Sequence, residues 1–127
     1  MHNAGKPVAL VIINGGPYTI DDLKAMQDII IVQAGFPGQA GGQAIANILK
    51  GGVVNPSGRL MTTIYPASYV NGKPMTGTPW MDSNVRPSEN SEGRSHMFYT
   101  GNPLFAFGHG LSFTEFDMEW DVAPPLL

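Results

Sequence analysis

The stretch Asp28-Ile29-Ile30-Ile31-Val32-Gln33-Ala34-Gly35-Phe36-Pro37-Gly38-Gln39-Ala40-Gly41-Gly42 decides the fold. Its first half is rich in β-branched residues, which pack well on a pleated surface and lose side-chain freedom in a helix. A run without polar alternation predicts a strand buried on both faces. Its second half is a glycine-rich turn, and a helix is expected after it. Ala44, Ile45, Ile48 and Leu49 fall on one stripe of that helix, with Gln43, Asn47 and Lys50 opposite. Gly51-Gly52 ends it, and Lys50 sits where a cation meets the negative end of the helix dipole.

Upstream, Val8-Ala9-Leu10-Val11-Ile12-Ile13 is a second run of the same kind, stopped by Asn14-Gly15-Gly16-Pro17. Between the two runs, Thr19-Ile20-Asp21-Asp22 resembles a capping box opening a short helix, with Leu23 and Met26 on its buried side. Downstream, the turn Asn55-Pro56-Ser57-Gly58 precedes Arg59-Leu60-Met61-Thr62-Thr63-Ile64-Tyr65, which reads as a third strand. Strand, helix, strand, helix, strand implies an α/β fold with a mainly parallel, helix-covered sheet. Three strands and two helices leave an open sheet edge and uncovered faces. The chain is therefore expected to be part of a domain, and to fold and dissolve poorly by itself.

Beyond residue 65 the character changes. Residues 66–95 are polar, punctuated by proline and without sustained period, which predicts a long irregular loop; such a loop usually means function or missing structural context. Aromatic residues gather after it: Phe98, Tyr99, Phe105, Phe107, Phe113, Phe116 and Trp120. Glu115, Asp117, Glu119 and Asp121 alternate with Phe116, Met118 and Trp120, the period of a half-buried strand with an acidic outer face.

Composition narrows the function classes. The 127 residues include 16 Gly and 11 Pro, about a fifth of the chain, below the level of a disordered sequence. Charged residues are 13%, against about 25% in an ordinary soluble domain, which suits a surface facing protein more than water. A net charge of −3 with no basic cluster excludes a dominant nucleic-acid role. The absence of Cys excludes a disulfide framework, a thiolate zinc site and a Cys nucleophile. The apolar runs are too short to cross a bilayer, and the first residues lack the layout of a signal peptide.

Individual motifs give no complete site. Gly35, Gly38, Gly41 and Gly42 follow a strand, yet they form neither dinucleotide nor P-loop spacing. A nucleotide-binding α/β domain is thereby disfavoured, and no cofactor is expected. There is no G-x-S-x-G elbow, and Ser112 near His109 reads as a polar turn residue. His2, His96 and His109 are too dispersed for a metal spacing. His109, between two glycines among aromatics, reads as a hydrogen-bonded structural imidazole by default, with the alternative of a polar group that orients a ligand in an apolar cleft.

Three phrases in order carry more information than any of these: residues 34–44 (AGFPGQAGGQA), residues 55–60 (NPSGRL) and residues 103–116 (PLFAFGHGLSFTEF). Together they resemble the C-terminal part of glycoside hydrolase family 3. Tyr65-Pro66-Ala67-Ser68-Tyr69-Val70, Pro74-Met75-Thr76, Asn84-Val85-Arg86-Pro87 and Gly93-Arg94-Ser95-His96-Met97-Phe98-Tyr99 are similar to its β-xylosidase branch. The resemblance runs from about Gly5 to Phe116.

It implies an incomplete three-layer α/β sandwich with a mainly parallel sheet over residues 1–115. Residues 116–127 would then be a linker or the first strand of a fibronectin type III-like domain. It further implies a retaining exo-glycosidase, active on xylo- or gluco-oligosaccharides and exported. In that family an Asp on a (β/α)8 barrel is the nucleophile, and a Glu earlier in the sandwich is the acid/base. Neither maps onto this chain, so no catalytic residue is assigned and the chain alone is expected to be inactive. Gly77-Thr78-Pro79-Trp80 lengthens the loop, Glu92 replaces a Pro, and Ser95-His96 replaces Thr-Tyr. Gln39, Arg94, His96 and His109 are the candidate sugar contacts. A non-catalytic carbohydrate-binding or interaction module is the rival reading.

Overall fold

The computed structural model describes residues 6–26, 28–51, 54–71, 84–89 and 91–121. Its elements run β1 (Val8–Ile12), α1 (Asp21–Lys24), β2 (Ile29–Gln33), α2 (Gly41–Leu49), α3 (Ala67–Asn71) and α4 (Ser95–Phe98). The two apolar runs pair as parallel strands, in register from Val8 opposite Ile29 to Ile12 opposite Gln33. One further bond, Ala34 N–H to the Ile12 carbonyl at 2.9 Å, extends the ladder past the strand ends. Asn14 fixes the exit of β1: its Oδ1 accepts from Gln33 Nε2 at 2.7 Å and its Nδ2 donates to the Gly16 carbonyl at 2.9 Å. A parallel pair joined through a helix is the α/β unit expected from the sequence.

The expected burial of both strand faces is corrected. Ala9 lies opposite Ile30 on one face of the pair, and that face is open: Ile30 is 57% exposed and Ile13, beyond the strand, 59%. Continuous β-branched runs thus mark a surface that needs covering, and the described residues cover one face better than the other.

The helix expected after the glycine loop forms as α2, with Ile45 and Ile48 half-buried but Ala44 and Leu49 of the expected stripe exposed; Gln43 donates to Asn47, one turn on, at 2.7 Å. Gly51 follows with φ 67°, closing the helix in the left-handed conformation. The capping box is not formed. Ile20 is the N-cap residue of α1, without a side-chain cap bond, and the Thr19 hydroxyl donates instead to the Asp21 carboxylate. That carboxylate reaches outside its own helix to accept the Ala67 N–H, at 3.0 and 3.2 Å to its two oxygens. Leu23 and Met26 are half-buried.

The third strand is also corrected. Residues 59–65 form no ladder with β1 or β2; they run beside residues 104–109 in a broken antiparallel ribbon. Ile64 bridges Phe105, with Ile64 N–H on the Phe105 carbonyl at 2.9 Å and Leu104 N–H on the Ile64 carbonyl at 2.8 Å. Leu60 N–H donates to the His109 carbonyl at 2.9 Å and Gly108 N–H to the Leu60 carbonyl at 2.8 Å. Between these two contacts Met61 and Thr62 bend away while residues 106–109 turn back, His109 N–H meeting the Ala106 carbonyl at 3.0 Å. The two segments therefore touch at their ends and bow apart in the middle.

The long loop contains more order than its composition suggests. Residues 67–71 form α3, and residues 84–89 with 91–95 form a turn held by Arg94 N–H on the Val85 carbonyl at 2.9 Å. The lengthened stretch at residues 77–80 lies outside the described residues. The buried centre is here and not on the sheet: Ile64 is 1% exposed and Tyr69 7%. Lys24 links this half to the first, donating to the Leu104 carbonyl and lying 4.9 Å from the centre of the Phe105 ring.

Asn55 clamps the C-terminal end, donating to Ser112 Oγ and accepting from Phe113 N–H, each at 2.9 Å. Ser112 is thus a polar turn residue, as expected. The half-buried strand over residues 115–121 is not formed. Phe116, Met118 and Trp120 are exposed to 76%, 94% and 78%, because no second strand lies beside them among the described residues. Among the described residues, too, no helix is long and apolar enough to cross a membrane.

Candidate functional site

Tyr65 and Tyr69 stand four residues apart, one at the end of the broken ribbon and one on α3. Their rings stack at 4.4 Å, and Tyr99 meets both edge-on at 4.9 and 5.5 Å. Each of these contacts adds to plain area burial through the ring quadrupoles. The first two hydroxyls hold the segment that carries the candidate residues. Tyr69 Oη donates to the Gly93 carbonyl at 3.1 Å, and Tyr65 Oη accepts from Ser95 N–H at 2.7 Å.

Backbone geometry between those two bonds is unusual. Gly93 has φ 77°, and a Cβ there would lie 2.6 Å from the Phe98 carbonyl oxygen. Ser95 has φ 69°, a left-handed conformation that strains any side chain by about 1–3 kcal/mol. Such strain persists only where the surroundings fix it, and here the tyrosine hydroxyls do so. Tyr99 closes the arrangement: burial first, then the charge and hydrogen bond of Glu92, push its phenol up to about 12.

Two hollows flank this segment. The larger, about 510 Å³, is lined by Pro17, Tyr18, Thr19, Tyr65, Pro66, Tyr69, Val70 and Arg94. Burial raises the Tyr18 phenol pKa. Arg94 Nε and Nη2 are buried and have no hydrogen-bond partner among the described residues. The smaller hollow, about 130 Å³, is lined by Thr63, Ser95, His96, Tyr99, Pro103, Ala106 and Phe107. His96 stacks on Phe107 with ring centres 4.5 Å apart and planes at 28°, presenting an exposed flat surface. The Thr63 hydroxyl beneath is buried and unpartnered among the described residues.

The four sequence candidates are not gathered into one site. Arg94 lines the larger hollow and His96 the smaller. His109 is exposed, tilted against Phe105 at 5.1 Å. Gln39 is exposed in the glycine turn before α2. Sequence reasoning missed the tyrosines. The available signal was the pair of tyrosines four residues apart around Pro66, although Tyr65 precedes α3 and helical spacing does not by itself stack them. Chemically, the larger hollow offers mostly aromatic and proline walls around Arg94, and the smaller sets the flat His96 and Phe107 rings beside the polar groups of Thr63, Ser95 and Tyr99.

The chain is similar to known proteins over most of its length. The family description "Glycosyl hydrolase family 3 C-terminal domain" matches residues 1–113. An exo-1,4-beta-xylosidase of Emericella nidulans is 40% identical over 116 residues, 89% of this chain and 14% of the relative. Beta-D-xylosidase 3 of Arabidopsis thaliana is 44% identical over 124 residues, 95% of this chain and 15% of the relative. Among solved structures, a GH3 exo-beta-xylosidase in complex with a xylobiose aziridine activity-based probe superimposes with a TM-score of 0.73 at 39% identity. That match covers 90% of this chain and 14% of the other. The chain spans about one seventh of the length of these relatives. With the parallel α/β core, the ordered phrases and these matches in agreement, the chain belongs to glycoside hydrolase family 3, as a segment of its C-terminal domain.

Proposed function

We propose that this chain is part of a retaining exo-β-glycosidase of the β-xylosidase type, an enzyme that removes one xylose at a time from the end of an oligosaccharide. The observation that carries the reading is the 40–44% identity, across nearly the whole chain, to relatives named as xylosidases. Retention requires two carboxyl groups roughly 5–5.5 Å apart across one glycosidic bond, one attacking the anomeric carbon and the other serving as acid and then base. We place both outside these residues, on a barrel domain and on an earlier part of the sandwich, so that the chain alone is inactive.

In this reading residues 1–115 complete the sandwich, residues 116–127 lead into a following domain, and the enzyme is exported. Of the candidate contacts, His96 on Phe107 is the one with an exposed flat face beside a polar hollow, and it would meet an outer sugar unit of the substrate. Gln39 and His109, exposed elsewhere, are assigned only to the periphery.

The test is an assay of the 127-residue chain and of a full-length enzyme carrying it, on aryl β-xyloside and aryl β-glucoside. Turnover by the long form, faster on the xyloside, is expected, with none by the chain. Turnover by the chain would refute the placement of the carboxylates, and binding without turnover by the long form would favour the carbohydrate-binding module instead.

A further inference from the structure

We propose that the cleft holding Arg94 receives a carboxylate side chain, an Asp or Glu, from a part of the longer polypeptide outside these residues. The cleft is then a docking surface between two segments of one enzyme. The proposal rests on the reading of this chain as a segment of a longer glycosidase.

In a guanidinium, Nε and Nη2 form the edge that grips a carboxylate with two parallel hydrogen bonds. Here both nitrogens are buried and neither has a partner among the described residues. A buried charge left unpaired is strongly destabilising, whereas the same charge facing a carboxylate between apolar walls is poorly screened and strongly attracted. The walls are of that kind, built from Pro17, Tyr18, Tyr65, Pro66, Tyr69 and Val70.

The backbone that carries the arginine is held in place. The Arg94 N–H is fixed on the Val85 carbonyl at 2.9 Å. The residue before it is pegged by Tyr69 and the residue after it by Tyr65. Since Nε and Nη2 hold no bond, turning them toward an arriving carboxylate gives up nothing.

The matched relatives are about seven times longer than this chain, so most of an enzyme of this kind is available to supply the acid. Among the described residues the carboxylates near the cleft are otherwise engaged: Asp21 by Thr19 and Ala67, Glu92 by Tyr99.

The experiment uses the full-length enzyme and the substitution Arg94→Met, which keeps an unbranched apolar stem and removes the guanidinium with its charge. With a docked carboxylate, the variant strands that acid in an apolar site and raises its pKa. Tm should fall by about 3 °C or more at pH 7, and the deficit should shrink to less than about half at pH 4.5, where the stranded acid takes up a proton. The titratable groups lining the cleft with Arg94 are the phenols of Tyr18, Tyr65 and Tyr69, and Asp21 is bonded to the lining residue Thr19. Glu92 and His96 lie outside the cleft, and wild-type enzyme measured at each pH cancels them.

A Tm unchanged or raised by Arg94→Met would overturn the proposal, since removing an unpaired buried charge stabilises. A loss equal at both pH values would overturn it too, assigning Arg94 to packing alone. If Arg94→Met does not fold at pH 7, Arg94→Lys decides. It keeps the charge without the fork, so a reduced Tm supports the proposal and a wild-type Tm refutes it. Aryl β-xyloside turnover by the wild-type enzyme is read separately, so failure of the docking proposal and failure of the glycosidase reading are told apart.

Discussion

The hydroxyl of Tyr65 accepts a 2.7 Å hydrogen bond from the backbone N–H of Ser95, and Ser95 is the non-glycine residue with positive φ among the described residues. A single phenol thus holds a strained backbone between the two hollows. Removing the acceptor with Tyr65→Phe should cost about 1 kcal/mol. Ser95→Gly, which relaxes the left-handed conformation, should recover part of that loss in the double variant. Chemical denaturation of the four proteins of this cycle gives the coupling; strictly additive effects would mean that the bond does not hold the strain.

Gly93 and Gly38 separate conformational strain from collision. Both have positive φ, 77° and 69°, but a Cβ at Gly93 meets the Phe98 carbonyl at 2.6 Å while one at Gly38 meets nothing within 4 Å. Gly38→Ala should therefore cost only about 1 kcal/mol, the ordinary left-handed penalty. Gly93→Ala should cost at least about 1–3 kcal/mol more, because a carbonyl oxygen in a pegged loop must move. Thermal unfolding of both variants checks the order; equal losses would refute the steric claim.

Asp21 couples stability to acid. The Thr19 hydroxyl, opposed in part by desolvation and aided by the Ala67 N–H, holds its carboxyl below the ordinary value. Its stabilising contribution is therefore complete above the unfolded carboxylate pKa of about 3.9. The contribution is lost as pH falls through the lower folded value. Asp21→Asn should lower stability at neutral pH, and the gap to wild type should close below about pH 4. A pH series of denaturation midpoints tests this, and a gap that persists in acid would point to shape in place of charge.

His96 bears on the proposed substrate contact. If its stacked pair with Phe107 meets an outer sugar, His96→Ala in the full-length enzyme should raise KM for a xylo-oligosaccharide several-fold. The aryl xyloside, which lacks that outer sugar, should be little affected, with kcat unchanged on both. A change in kcat on both substrates would assign His96 a structural role in the smaller hollow.

The physical division between sequence and structure follows the range of each interaction. β1, β2 and α2 were legible because strand and helix periodicities are local: β-branched residues side by side, apolar residues three and four apart. The ordered phrases at residues 34–44, 55–60 and 103–116 were likewise enough to reach the family. The pattern in residues 59–65 and 115–121 told which side chains share a face but not which backbone would satisfy the strand. One segment found residues 104–109 in antiparallel contact instead of the sheet, and the other has no neighbouring strand among the described residues. The short helix α3 escaped notice because its support is distant: its first N–H is received by Asp21, 46 residues earlier. The site was hidden for the same reason. Composition names Arg94 and three tyrosines, but only folding brings Tyr18, Tyr65 and Tyr69 around that guanidinium, since stacking and burial act between residues the chain keeps far apart.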